Sequence, residues 1–310
     1  MPSRLWHCGR VTPAPGTAEE FASHRPRVFG LAYRLLGSAE DAEDTVQEVY
    51  LRWGKADRAA IGHPGAWLAR VATNLCLNRL TSARAQRERY VGSWLPEPVF
   101  TEDGTLGPME SAEQRDAVST ALLVLLERLT PTERAVYVLR EAFAYNHRDI
   151  AAVLDLSEAN CRQLYRRAVQ HVAAARTRFE PAPGRQRALV ESFVAAAREG
   201  DLAGLERVLA DDATWWSDGG GNVSAALRPV VGREKVMRFL GGVRRFASGW
   251  ALTVAEVNGA PALVAHAAQQ LVAVASFELR DSGIAEVRVV MNPDKLVFAG
   301  RQFAAMSPGA

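Results

Sequence analysis

Two stretches that neither a helix nor a sheet interior can cross divide this chain into three parts. Between Gly92 and Pro108 stand Pro96, Pro98, Gly104 and Gly107, and Pro181-Ala182-Pro183-Gly184 repeats the interruption. Proline lacks the backbone donor that regular structure needs, so both stretches read as connections between separately patterned blocks. With 310 residues, 48% of them hydrophobic and 23% charged, two or three folded domains are expected and general disorder is excluded. No run approaches the ~20 apolar residues of a membrane span. Residues 1–16, with Arg4, Pro2, Pro13 and Pro15, carry no apolar signal core. They are set apart as an N-terminal extension, and a cytoplasmic protein without membrane contact is expected. Cys8, Cys76 and Cys161 form no C-x-x-C pair, which excludes a disulfide framework and a cysteine zinc site; no metal or cofactor is expected.

Charge is segregated although the net value is only +2. Residues 66–89 hold five arginines against one acid, residues 147–178 six against three, and Ser38 to Glu48 five acids and no base. Such blocks suit more than one charged partner. The first helix is predicted from Thr17 to Leu36, with Gly37 as its stop. Ser38 with Asp41 reads as a capping box for a second, whose stripe Val46, Val49, Tyr50 and Trp53 ends at Gly54. A third, Ala66 to Leu80, is expected to bury Trp67, Val71 and Leu75 and to turn Arg70, Asn74 and Asn78 to another face.

Beyond the first break a helical block is expected from about Ser111. It restarts at Thr130-Pro131-Thr132-Glu133, an N-cap, an N1 proline and an N3 glutamate. The third block reads as α+β. Helices are predicted at Gln186 to Arg198, Leu202 to Leu209 and Arg233 to Phe246, around an irregular Gly219-Gly220-Gly221. Residues 250–257, 262–267, 270–280 and 284–291, with turns at Asn258-Gly259 and Asp281-Ser282-Gly283, read as an antiparallel meander.

The segment Arg148 to Leu154, a turn at Asp155-Leu156, an N-cap at Ser157 and a second helix through Ala168 have helix-turn-helix spacing. Ile150, Leu154, Leu156 and Cys161 lock the two helices, leaving Glu158, Asn160, Arg162, Gln163, Arg166 and Arg167 free to face a major groove. Arginine bonds two acceptors of guanine, and asparagine or glutamine two groups of adenine. Asn74 and Asn78 suit an unstacked base, and Arg79 and Arg84 suit phosphate, as a melted strand requires.

Together these residues resemble an extracytoplasmic-function sigma factor. Leu31 to Gly37 with Asp41 to Leu51 is similar to the segment that docks on the clamp helices of the largest polymerase subunit. Trp67 to Asn78 is similar to the −10 reader, and Leu129 to Arg134 with the helix-turn-helix to the −35 reader. The resemblance implies core polymerase contacts by Asp41, Asp44, Gln47 and Glu48, a further contact with the beta flap, −10 contacts by Arg70, Asn74, Asn78, Arg79 and Arg84, and −35 contacts by Arg148 and the helix-turn-helix face. The linker Tyr90-Val91-Gly92-Ser93-Trp94-Leu95-Pro96-Glu97-Pro98, with Asp218-Gly219-Gly220-Gly221-Asn222 and Asn292-Pro293-Asp294-Lys295-Leu296, is similar to the sigma-J type, in which a SnoaL-like domain follows region 4. That type implies regulation in cis through Trp94, Asp218, Gly219, Gly220, Gly221, Asn292, Pro293, Asp294 and Lys295. Asn222 departs from the type's lysine, which bears on any charged contact by that loop.

The resulting organisation is multidomain: two all-α domains, region 2 (17–92) and region 4 (111–180), joined by a flexible linker (93–110). A second linker (181–186), a SnoaL/NTF2-like cone domain (187–300) and a tail (301–310) follow. The expected function is promoter recognition for RNA polymerase without chemistry of its own. Two other readings stay open: a ligand-sensing DNA-binding repressor, and a SnoaL-like isomerase or cyclase with Asp212, Asp218 or His266 as proton carrier.

Overall fold

The computed structural model describes residues 17–87, 89–102, 104, 106, 118–175, 183–243 and 249–306, without the side chains of residues 17, 82–86, 174–175 and 183. Three helices open it: α1 (Thr17–Leu36), α2 (Ala39–Lys55) and α3 (Pro64–Arg87). Ser38 caps α2, its hydroxyl accepting from the Asp41 amide at 3.1 Å. The expected capping box with Asp41 is replaced by a contact from the linker: Glu97 accepts from the first two helical amides, Ala39 and Glu40, at 2.7 and 3.1 Å. The predicted stripe of α3 is displaced around the helix, because Leu68, Ala72, Leu75 and Cys76 are buried whereas Trp67 and Val71 are half-buried.

Region 4 comprises α4 (Thr120–Leu126), α5 (Pro131–Glu141), α6 (His147–Leu154) and α7 (Glu158–Ala175). The expected start near Ser111 lies outside the described residues. Thr130 and Glu133 form the full reciprocal cap of α5, with Pro131 in its first turn. Asp155 takes the left-handed conformation (φ 54°) that ends α6, and Ser157 caps α7. Asp tolerates this conformation better than most side chains.

The linker differs from the expectation. Residues 95–100 are buried, and the two helical regions share one continuous core in which Phe29, Leu35, Leu68, Leu122, Val136 and Ile150 take part. Apolar area fixes this arrangement: prolines that preclude a helix still allow an extended segment, from which Val99 enters the helical core while Leu95 and Phe100 enter the cluster on the sheet.

The third part folds from α8 (Pro183–Glu199) and α9 (Leu202–Val208) into β1 (Leu209–Asp218), β2 (Val230–Val231) and α10 (Arg233–Val243). It continues with β3 (Ala251–Val257), β4 (Ala260–Ala267), β5 (Gln270–Arg280) and β6 (Gly283–Val290). One sheet of order β2-β1-β6-β5-β4-β3 results. The meander β3 to β6 is antiparallel as expected; β1, which the sequence reading leaves unassigned, joins it parallel to β6. One sheet face packs Trp215, Phe277, Val287 and Val289 against Phe193, Val236 and Phe239 of the helices. The opposite face packs Val264, Val274 and Val290 against Leu95 and Phe100 of the linker and Leu296 and Ala299 of the chain end. That end corrects the expected tail: after a short 3-10 turn, α11 (Val297–Met306) stacks Phe298 on Phe29 of α1 at 5.3 Å.

Candidate nucleic-acid interface and interdomain joint

The helix-turn-helix presents its outer face to solvent. Arg148, Asn160, Arg162, Gln163, Arg166 and Arg167 are exposed, while Ile150 and Cys161 are buried and Leu154 and Leu156 half-buried between the helices. Glu158 is half-buried and pairs with Arg162 one turn on. Burial pushes the Cys161 thiol upward, with Glu158 adding to the shift, so it serves packing.

On α3, Arg70, Asn74 and Asn78 form one exposed row. Arg79 does not join them. It lies 3.6 Å from Asp41, 3.8 Å from Asp44 and 3.8 Å from Glu48, and its guanidinium donates to the Asp41 carbonyl at 3.1 Å. One residue beyond Asn78, the helix has turned by ~100°, which carries the side chain onto α2. The side chain of Arg84 lies outside the described residues. Asp41, Asp44, Gln47 and Glu48 share a face of α2 with Leu51, 62% of whose surface is exposed. A negative ledge with an apolar step therefore flanks the Arg/Asn row.

The linker, region 2 and the third part meet at Asp218, which is fully buried at the end of β1. Its carboxylate accepts from Tyr90 Oη at 2.5 Å, the Leu95 amide at 2.8 Å and Lys295 Nζ at 2.7 Å. Lys295 also donates to the Leu95 carbonyl at 2.6 Å and lies 4.5 and 4.3 Å from the ring centres of Tyr90 and Trp94. Trp94 carries a second cation, Arg87 from the end of α3, at 4.0 Å. The ring thus contacts both a cation of region 2 and one of the third part, an electrostatic contact strengthened where water is excluded.

Asn292 donates to Tyr90 Oη at 2.9 Å and accepts from Asn222 at 3.1 Å, and Asn222 also donates to Asp294 at 3.0 Å. Asn222 therefore contacts a neutral amide and a carboxylate while carrying no charge of its own. Gly220 has φ 60°, and a β-carbon there would lie 2.2 Å from the Asn292 amide, so the backbone needs glycine twice over. At the end of α1, Gly37 (φ 68°) faces Trp94, which stands 3.0 Å from where a β-carbon would be. Pro293 opens the turn that places Lys295.

A second cluster ties region 4 to region 2. Arg134 pairs with Glu127 and donates to the Arg34 carbonyl at 3.2 Å, and Arg87 pairs with the same Glu127 and donates to the Leu36 carbonyl at 2.6 Å. Burial holds Arg87 and Arg134 down at about 9 and Arg34 at about 10. Burial likewise lowers Lys295 to about 8, against the opposing pull of Asp218, and raises Tyr90, with Asp218 adding to that rise. Glu97 is raised by burial, opposed by Ser38 and the two capped amides.

The three candidate proton carriers stand apart from the apolar interior between the sheet and its helices. Asp212 pairs with Arg280 at the surface at 2.5 Å, Asp218 is engaged in the joint, and His266 lies against Phe303 of α11. Of the adjacent tryptophans, Trp215 faces inward, its indole donating to Ser217 at 2.9 Å, and Trp216 faces outward to Glu286. Sequence reasoning places Tyr90 and Glu97 in the linker motif, Asn258 in a hairpin turn and Arg87 in a basic stretch, and assigns none of them a bonding partner. Glu97 carries one weak signal, an acid between two prolines in an apolar run; the partners of Tyr90, Arg87 and Asn258 lie far away in the chain, so no local pattern points to them.

Comparison with known proteins accords with this geometry. Residues 21–86 match the Sigma-70 region 2 family, residues 119–172 the Sigma-70 region 4 family, and residues 190–299 the SnoaL-like domain family. The chain is 37% identical over 289 residues to "ECF RNA polymerase sigma factor SigJ" of Mycobacterium tuberculosis, covering 89% of this chain and 92% of that one. It is 30% identical over 277 residues to "Probable ECF RNA polymerase sigma factor SigI" of the same species, covering 88% and 92%. The crystal structure of Mycobacterium tuberculosis SigJ superposes with a TM-score of 0.72 at 33% identity, covering 91% of this chain and 98% of that chain.

Proposed function

The chain belongs to the extracytoplasmic-function RNA polymerase sigma factors with a fused SnoaL-like domain, and we propose that this domain holds the two DNA readers closed until polymerase and promoter separate them. As a sigma factor the protein selects promoters for core polymerase rather than transforming a substrate. In the proposed cycle the ledge Asp41, Asp44, Gln47, Glu48 and Leu51 docks on the clamp helices of the largest subunit, and region 4 meets the beta flap. The exposed start of α7 enters the −35 major groove, where Arg162, Gln163 and Arg166 reach base edges and Arg148 and Arg167 hold phosphate. Arg70, Asn74 and Asn78 take the melted −10 strand.

A distance argument supports closure. The two promoter elements lie roughly 25 base pairs apart, on the order of 80 Å at 3.4 Å per pair. Helical domains of about 70 residues that share a core have centres only about 22 Å apart, twice their radius of gyration. Both elements are therefore out of simultaneous reach while regions 2 and 4 share a core. The observation that carries the regulatory reading is the buried Asp218–Lys295 pair, whose remaining side-chain hydrogen bonds go to Tyr90 and Leu95 at the start of the linker between the readers. An enzyme would need a proton carrier in the cone, and Asp212, Asp218 and His266 lie elsewhere. A repressor has no use for the acidic ledge.

The test is transcription from genomic fragments by core polymerase with limiting protein, comparing the full chain with Lys295→Met. The expected result is the same start sites from both, with higher yield from the variant. Equal yield over a range of protein concentration refutes regulation through this joint, and loss of defined start sites refutes the assignment of the readers.

A further inference from the structure

The third part grips the sigma regions at a second place, remote in sequence from the glycine loop. The hairpin between β3 and β4 ends at Asn258-Gly259, and Asn258 is 2% exposed although it is a polar residue at a turn tip, where solvent is the usual surrounding. Its side chain donates to Tyr33 Oη of α1 at 2.6 Å and to the Val118 carbonyl, just before the cap of α4, at 2.9 Å; its carbonyl oxygen accepts from the Val99 amide at 3.3 Å. Its own amide donates to the Val99 carbonyl at 2.9 Å, and Tyr33 Oη passes its proton bond on to the Glu97 carbonyl at 2.6 Å. One side chain therefore bonds region 2, the linker and the start of region 4 together.

We propose that Asn258 is a positioning residue that pins the start of region 4 to region 2, as a latch separable from the Asp218–Lys295 joint. Two features argue for separability. Among the described residues the side chains of the joint bond Tyr90 and Leu95 at the near end of the linker and make no hydrogen bond to region 4, whereas Asn258 bonds Val118 directly. The hairpin is also stapled independently of the joint, through Thr101 Oγ1 to Glu256 at 2.7 Å, the Gly259 amide to Thr101 Oγ1 at 3.1 Å, and the pairing of Phe100 with Val257. Loss of the tip side chain leaves these bonds in place. Every polar atom of the Asn258 amide is occupied, so substituents that keep only part of the set leave buried groups unpaired.

This inference rests on the closed state described above but its test uses neither DNA nor polymerase, so the two can fail separately. In the full chain with Cys8→Ser, a Val118→Cys reporter is introduced; Val118 is fully buried and cysteine is close to it in size. Its thiol-labelling rate, read by mass spectrometry and corrected for Cys76 and Cys161, reports opening at the start of region 4. Exchange of the Leu95 amide, bonded to Asp218, reports the joint. Asn258→Gly is the variant of choice, because Asn258 has φ 54° and glycine keeps that turn at little cost. It is expected to raise Val118→Cys labelling about tenfold, the loss of one or two buried bonds, with Leu95 exchange unchanged. Tyr33→Phe is expected to do the same to a smaller degree, and Lys295→Met the reverse. Unchanged labelling in both Asn258→Gly and Tyr33→Phe, or a parallel rise at Leu95, overturns the proposal.

Discussion

Replacing Asp218 by asparagine keeps the volume of the side chain and removes the charge on which the joint converges. Three donors point at the carboxylate: Tyr90 Oη, the Leu95 amide and Lys295 Nζ. An amide group offers one acceptor oxygen and one donor nitrogen. If the oxygen stays with Leu95 and Lys295, the nitrogen faces Tyr90 Oη, which already accepts from Asn292, and the tyrosine proton loses its partner. Lys295, 7% exposed, then keeps the Leu95 carbonyl and two aromatic rings but no counter-charge. Breaking a buried pair in this way costs about 3–5 kcal/mol. In the undocked state the same lysine is in water, so most of that cost falls on docking of the third domain rather than on its own folding. The expected outcome is exchange of the Leu95 amide faster by at least a hundredfold, with the amides of β4 and β5 protected as before. Leu95 protection within a factor of three of the parent would show that the charge pair does not hold the domains, and the reasoning would fail.

Glu97→Ala is expected to lower stability by about 1–2 kcal/mol through loss of the α2 cap, with Glu97→Gln much closer to the parent; thermal unfolding measures both. Because Lys295 titrates at about 8 in the joint and at 10.5 when free, the open form binds more protons between these values. Docking therefore tightens as pH rises from about 8 to 10, above which the raised Tyr90 hydroxyl opposes the effect, and the Lys295 contribution is weakest below about 8; Leu95 protection, corrected for intrinsic exchange, reads the sign, and loosening over that interval contradicts it. Arg166→Ala should weaken −35 binding by about 1–3 kcal/mol and relax preference at one base, measured by competition between site variants at fixed salt. Arg79→Ala should alter the salt dependence of core polymerase binding and leave promoter melting intact, because Arg79 lies on the acidic ledge; a melting defect with normal core binding would return it to the −10 face.

The fates of two loops show what local pattern can and cannot say. The segment from Pro96 to Phe100 carries correct information about its own backbone, since two prolines forbid a helix. Nothing local states that the segment will be covered. Burial came from Val257, Val264 and Leu296, more than 150 residues further on. Asn258-Gly259 likewise announces a tight hairpin turn, and both residues take positive φ. That its side chain would be inserted beside Tyr33, 225 residues away, has no trace in the turn itself.

By itself the sequence determined the elements and their ends, because caps, glycine stops and periodicity act within a few residues: Ser38, the Thr130–Glu133 pair, the left-handed Asp155 and the meander β3 to β6 all follow from neighbours. It also carried the resemblance that led to the sigma family. The tertiary structure alone decided the parallel seat of β1 beside β6, the turn of Arg79 onto the acidic ledge, and the helical end that stacks Phe298 on Phe29. It decided, too, that Asp218 would meet Tyr90 across 128 residues and Lys295 across 77. A buried charge takes whatever partner the packed chain brings within reach, and apolar area is indifferent to sequence order, so these pairings exist only once the core has closed.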